Sequence, residues 1–366
     1  MTPRHLYVHV PFCARRCSYC DFAIAVRREV PVDDYLTALG LELDAKRLNG
    51  SPLDTVYLGG GTPSRLGGDG IARLIDMIRG RFEISESAEL TIEANPDDVE
   101  KAAAHEWKRA GINRVSLGIQ TFNDVALRWM HRVHDSEGAR VAFRVLRDAG
   151  FDNISVDLIF ALPSSLDRSW EQDLRQAITL GPDHISLYGL TIEKATPLAR
   201  WAERGTVTPA DEDRYAADFL LAHSIATAAG YDHYEVSNFS LSGKNSRHNS
   251  AYWTGVPYAG AGPSAHSFDG ETRSWNVRDY VEWANRLSRG DSIVAGSEIL
   301  TDENRIAERV YLGLRTSRGL AVTDADRARA DLWQREGWAI RDGDMVRLTG
   351  EGWLRLDSLA AALTGL

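Results

Sequence analysis

The chain has 366 residues, 43% hydrophobic and 26% charged, and its 42 basic against 52 acidic side chains leave a net charge of −10. That recipe makes a globular protein with ample chain for a core and excludes disordered, collagen-like and coiled-coil architectures. The acidic balance offers polyanions no general attraction, so nucleic acid and anionic membrane are poor partners, and no apolar run reaches the ~20 residues of a bilayer span. The first residues carry no apolar stretch long enough for a signal peptide, so a soluble cytoplasmic protein is expected.

Short β-rich runs at 6–9, 56–58, 90–93, 115–119, 154–158 and 185–190 alternate with helix-period stretches at 33–48, 69–78, 98–110, 137–149 and 170–180. Gly50, Gly80, Gly111, Gly150 and Gly181 stand where C-caps belong. The βα repeat of about 30 to 40 residues predicts an α/β fold, a partial (β/α)6 barrel, with a doubly wound sheet as the alternative. Thr208-Pro209-Ala210-Asp211 then reads as the start of a helix, with proline at its first position, that stops at Gly230. From 231 to 275 no period is clear, and the histidines and aromatics there mark a binding region. From 301 the pattern gives two helices, a hairpin around Asp342-Gly343 and a final helix over 350–363, a small winged-helix-like unit without a basic stripe. Three parts are expected: 1–200, 201–300 and 301–366.

Cys13, Cys17 and Cys20 are the only cysteines and fall within eight residues. An odd number in a cytoplasmic chain argues against disulfides, and C-x3-C-x2-C can gather three thiolates round one soft metal centre. Zinc would need a fourth ligand, which His9 could supply, whereas a [4Fe-4S] cluster on three thiolates leaves one iron open. Cys13-Ala-Arg-Arg-Cys17-Ser-Tyr-Cys20 resembles the signature of the radical S-adenosylmethionine (SAM) superfamily. The resemblance implies that SAM chelates the open iron and that an electron from the cluster can cleave it to a 5′-deoxyadenosyl radical.

Gly59-Gly60-Gly61-Thr62-Pro63 follows the second strand, where glycines let backbone approach a ligand, though a tight turn would look the same. Glu93 closes an apolar strand, a place where a carboxylate needs a partner, and Arg132 and Asp157 read either as a salt-bridged barrel rim or as ligand contacts. Gly260-Ala-Gly262-Pro-Ser-Ala265 satisfies G-x-G-x-x-A, but Pro263 interrupts the turn and no clear strand precedes it, so a nicotinamide dehydrogenase is not expected.

Further segments, among them His9-Val-Pro-Phe-Cys13, Ser116-Leu-Gly-Ile-Gln120, Asp157-Leu-Ile-Phe-Ala-Leu-Pro163 and Tyr234-Glu-Val-Ser-Asn-Phe239, resemble the oxygen-independent coproporphyrinogen III oxidase-like family. Two branches compete, the coproporphyrinogen III dehydrogenases and a haem-chaperone branch. Phe22 stands where the dehydrogenases carry a fourth cysteine, only 12 residues precede Cys13, and His248-Asn249-Ser-Ala-Tyr252-Trp253 matches the H-N-x-x-Y-W motif of the chaperones. An imidazole can ligate haem iron and aromatic faces can hold a porphyrin, but His233 and His266 lie in the same region, so the axial ligand stays open.

By the resemblance, Cys13, Cys17 and Cys20 hold the cluster, Tyr7, Phe22, Gly60, Gly61, Thr62, Glu93, Gln120, Arg132 and Asp157 contact SAM, and His248, Asn249, Tyr252 and Trp253 meet haem. The implied function is binding haem and transferring it to acceptor haem proteins, respiratory enzymes among them, with an exchangeable SAM and a homodimer when the cluster is present. The alternative is oxidative decarboxylation of coproporphyrinogen III.

Overall fold

The computed structural model describes residues 2–46 and 51–365. Its first half alternates strand and helix: β1 (His5–Val10), α1 (Val32–Ala45), β2 (Leu53–Gly60), α2 (Gly67–Arg79), β3 (Ile84–Ala94), α3 (Lys101–Ala110), β4 (Arg114–Gln120), α4 (Ser136–Asp148), β5 (Ile154–Phe160), α5 (Trp170–Leu180) and β6 (His184–Gly189). These six strands pair in parallel in sequence order. Parallel neighbours need a crossover, and each helix provides one. The expected partial-barrel pattern is therefore present, and Asp183 N donates to Ile154 O as β6 joins the sheet.

The strands alternate in chemistry as well as direction. Leu6, Val8, Val56, Leu58, Ile92, Leu117, Val156 and Ile185 are fully or almost fully buried and join one hydrophobic core with α1 to α5. Their neighbours Tyr7, Tyr57, Glu93, Ser116, Asp157 and Ser186 point to the other face, because successive residues of a strand face opposite ways. Parallel strands covered on both faces are ordinarily apolar throughout. Here the concave face is polar and many of its groups pair with one another, as in the Tyr57–Glu93, Ser116–Asp157 and Ser155–His184 hydrogen bonds.

After α6 (Glu212–Ala228) the chain returns to the same sheet. β7 (Asp232–Glu235) and β8 (Asn238–Ser240) add antiparallel beside β6. The helix α7 (Arg247–Trp253) then crosses to the opposite edge, where β9 (Ala259–Ala261) pairs in parallel with β1. The sheet order is thus β9-β1-β2-β3-β4-β5-β6-β8-β7, nine strands rather than six. The segment expected to lack period supplies both edges; its strands of three or four residues are too short to show one.

A second sheet of β10 (His266–Phe268), β11 (Thr272–Asn276) and β12 (Val294–Ile299) follows, with α8 (Tyr280–Arg289) packed on α1. Buried Glu42 of α1 anchors it, accepting from Trp283 Nε1, Gly262 N and Asn276 Nδ2. The last unit holds α9 (Asp302–Arg315), β13 (Leu320–Ala321), α10 (Arg327–Arg335), β14 (Ala339–Asp342), β15 (Met345–Leu348) and α11 (Leu356–Thr364). Its sheet order is β13-β15-β14, the expected winged-helix-like arrangement.

Several boundaries differ from expectation. Pro209 lies before α6, which starts at Glu212 with the Asp211 carboxylate accepting from Arg214 N as cap. Pro96–Asp98 forms a separate turn, so α3 begins only at Lys101. Gly111, Gly150 and Gly181 adopt the left-handed region after their helices, whereas Gly80 stays helical at φ −67°. The final helix breaks into Gly350–Trp353 and α11. Leu48 and Gly50, expected at the end of the first helix, lie outside the described residues.

Candidate functional site

The C-terminal ends of β1 to β6 open on a cavity of about 580 Å³, the position where parallel barrels hold ligands. Cys13, Cys17, Cys20, Phe22, Gly60, Gly61, Thr62, Glu93, Gln120, Arg132 and Asp157 all line it. The cysteine loop is pinned at its base, where Phe12–Cys13 pairs with Ala25–Val26 and Arg27 N donates to Cys13 O at 3.0 Å. Cys13 Sγ lies 3.4 Å from Thr62 Oγ1. Arg132 donates to Cys17 Sγ at 3.6 Å, to Asn95 Oδ1 at 2.5 Å and to Gly118 O at 2.9 Å. Burial pushes the Cys13 thiol up to about 11 and raises Cys20 as well.

The glycine loop is shaped by contact. Gly60 has φ 111°, and a Cβ there would stand 2.6 Å from the His9 ring. At Gly61 a Cβ would meet the Pro11 backbone at 2.7 Å. Gly60 N donates to Glu93 Oε2 at 3.0 Å and Tyr57 OH to Oε1 at 2.8 Å. Burial outweighs these bonds and, with Asp157 nearby, pushes the Glu93 carboxyl up to about 7. Asp157 is also raised by burial, although Ser116 Oγ donates to both its oxygens at 2.9 and 3.0 Å. Gln120 ends β4 at φ 70°, a left-handed conformation that costs a side-chain residue about 1 kcal/mol or more and turns its amide toward the cavity rim.

The H-N-x-x-Y-W segment forms α7 at the other end of the strands. Ser246 caps it, and the Glu89 carboxylate, midway along β3 and opposite Thr55, accepts from Arg247 N and His248 N, both at 3.0 Å. His248 points into the barrel base and is 1% exposed. Its Nδ1 is hydrogen-bonded to Thr55 Oγ1 at 2.7 Å and its Nε2 to Tyr252 OH at 2.9 Å, while its ring stacks on Tyr57 at 5.0 Å. Burial drives its pKa down to about 3, so the imidazole is neutral. Tyr252 and Trp253 instead line a second cavity of about 690 Å³, together with Tyr258, His266, Arg273 and Tyr311. Asn249 does not line it, and its backbone N–H donates to Ser246 Oγ.

Residues 7–177 match the radical SAM superfamily. The haem chaperone HemW of Mycobacterium tuberculosis is 38% identical, over 99% of this chain and 95% of that protein. HemW of Bacillus subtilis is 35% identical over 86% and 84%, and HemW of Escherichia coli 39% over 73% and 70%. This chain belongs to the HemW family of radical SAM proteins. Among solved structures, coproporphyrinogen III oxidase (HemN) from Escherichia coli shares the fold, with a TM-score of 0.82 at 23% identity over 99% of this chain and 90% of that one.

Membership in the radical SAM superfamily implies a [4Fe-4S] cluster and SAM, and the HemW-family residues of the first cavity fit both. Cys13, Cys17 and Cys20 all line that cavity, and soft thiolates are the donors that iron–sulfur clusters take. Cluster ligation deprotonates Cys13 and Cys20, which burial keeps neutral, and the buried Arg132 guanidinium beside Cys17 balances negative charge at the loop. Glu93 and Asp157 face a cavity that a cationic ligand would neutralise.

Tyr7, placed among the SAM contacts by resemblance, is not brought to this cavity. Its hydroxyl donates to His9 Nδ1 at 3.1 Å and its ring stacks on Tyr57 at 6.1 Å inside the barrel. Asn95 and Tyr188 line the cavity without having been singled out. Asn95 Nδ2 donates to Thr62 Oγ1, and its place two residues after Glu93 was the available signal. Tyr188 lies two residues beyond Ser186 on β6, on the same face of the strand. No helix among the described residues is long and apolar enough to cross a membrane.

Proposed function

We propose that this chain binds haem and transfers it to acceptor haem proteins, respiratory enzymes among them, and carries a [4Fe-4S] cluster with an exchangeable SAM. The observation that carries the reading is the second cavity, onto which the H-N-x-x-Y-W helix turns Tyr252 and Trp253. At about 690 Å³ with aromatic walls, it suits a flat apolar macrocycle. The near full-length relation to a HemW protein supports it.

On this reading Cys13, Cys17 and Cys20 hold the cluster. Gly60, Gly61, Thr62, Glu93, Gln120, Arg132, Asp157 and Phe22 surround SAM, with Glu93 ionising to meet its positive charge. The cluster, when bound, supplies an electron. The chain's own residues exclude water from it and fix the two carboxylates. Residues 1–200 form the cluster and SAM region, 201–300 carry the haem region while lending the sheet its edges, and 301–366 form the winged-helix-like unit. The same reading makes the protein cytoplasmic and a homodimer in its cluster-bound form.

The test is an anaerobic hemin titration of the cluster-reconstituted protein, followed at the Soret band. Saturable binding near one per chain supports the reading. Absence of saturable binding, with coproporphyrinogen III decarboxylated in step with 5′-deoxyadenosine release, replaces it with the dehydrogenase.

A further inference from the structure

The ten histidines divide by what their ring nitrogens do. His5 and His248 bond to Thr55, His9 to Ala23, His105 to Lys101, His134 to Ile119, His184 to Ser155 and Tyr234, and His223 and His233 to each other. Among the described residues, His131 and His266 are the two with no hydrogen bond at either ring nitrogen. His131 stands edge-on to Trp201 at the first cavity, and His266 lines the second.

An axial ligand needs a nitrogen lone pair that can reach iron. His248 is enclosed with both nitrogens bonded, so turning it outward would break its bonds to Thr55 and Tyr252 and open the barrel base. His233 is 8% exposed, stacked on Phe239 at 3.8 Å and bonded at both nitrogens. His266 is exposed at the start of β10, and its ring is steadied by Trp275, its cross-strand partner, at 5.8 Å and 27°.

We propose that haem seats in the second cavity with the His266 imidazole as its axial iron ligand and its ring plane against Tyr252, Trp253 and Tyr258. This rests on the haem-binding reading above and deepens it. α11 supplies a further wall, with the small Ala360 and Ala361 between Asp357 and Thr364. Arg273 in the wall is already balanced by Glu298 at 3.0 Å and Glu308 at 2.9 Å, so the propionates lie at the open mouth. His248 acts as a positioning residue: through Nε2 it fixes the Tyr252 hydroxyl and with it the ring that haem meets.

The experiment titrates full-length wild type, His266→Ala and His248→Gln with hemin, and in parallel with metal-free protoporphyrin IX, which needs no axial ligand. His266→Ala is expected to weaken hemin binding at least tenfold and to shift the Soret band. Added imidazole should restore both, while protoporphyrin IX binds as to wild type. His248→Gln should keep the wild-type Soret position. An unchanged band and affinity in His266→Ala, with wild type binding hemin, would overturn the ligand assignment and leave the haem reading standing. No saturable hemin binding by wild type would overturn both.

Discussion

At the C-terminal ends of the strands the cavity wall is made of glycine backbone, thiols and charged groups whose ionisation burial has displaced, Cys13 to about 11 and Glu93 to about 7. Beyond the N-terminal ends, across α7, the wall is mainly tyrosine, tryptophan and alanine with one unbonded imidazole, and its charged groups are Arg273, Glu308 and Asp357. The first is a set of strained and desolvated groups that ligands relieve, so its chemistry depends on charge and exact backbone path. The second is a surface of aromatic faces, whose hold on a ligand depends on area and on one lone pair. A single sheet with a polar concave face serves both, because its strand ends differ while its interior is continuous.

Substituting Cys13 separates the two most completely. Cys13→Ala is expected to abolish the iron–sulfur absorbance after reconstitution while changing hemin affinity less than about twofold; joint loss of both, with circular dichroism unchanged, would show that the cavities are not independent. Next comes the glycine loop. Gly60→Ala places a Cβ against the His9 ring at a left-handed φ and should cost about 3 kcal/mol, read from the urea midpoint.

Glu93 gives a pH test of similar or smaller size. Its folded pKa lies above the ordinary carboxylate value, so its contribution to stability is fully present below about pH 4.5 and is lost as pH rises through about 7. Ligand-free wild type should lose on the order of 2 to 3 kcal/mol over that window relative to Glu93→Gln, and parallel stability curves would refute the displaced ionisation. The smallest effect belongs to the second cavity. Trp253→Ala removes a ring held 4.3 Å from the Arg315 guanidinium and should weaken hemin binding by about tenfold, or ~1.4 kcal/mol, with cluster content unchanged.

Much of the first region was legible because its information is local. Six strands showed as β-rich runs, and the cysteines, Gly60 and Glu93 follow a strand or stand at its end while Asp157 lies within one, so a parallel order carries them to one face of the sheet. Side-chain direction was less legible. Tyr7 and His248 belong to motifs at opposite ends of the sheet, yet both point into the barrel, where each stacks on Tyr57. Of the second cavity, Tyr252, Trp253 and His266 were legible as haem candidates, but the wall they share with the last helices was not. It joins residues 252–273 to 307–364 across separate sheets, and nothing in the spacing of one sequence reports that Trp253, His266 and Ala360 share a wall. Pro209 misled for a related reason: a proline suits a first helical turn, but Asp211, two residues on, makes the better cap.

The register of β9 against β1 carries a consequence for synthesis on the ribosome. Leu6 is the first strand's second residue, and its partner Ala259 follows about 250 residues later. At roughly 5 to 20 residues per second, β1 stands with one edge unpaired for on the order of 10 to 50 s while the rest of the sheet is made. The cysteine loop hangs directly from that strand, through Phe12 and Cys13. The nascent chain therefore has its three thiols available well before the wall formed by β9 and its following hairpin exists, and an exposed strand edge invites pairing with other chains. Cluster delivery during this interval would meet the loop at its most accessible, and slowing elongation between codons 20 and 259 should lengthen both that opportunity and the risk of aggregation.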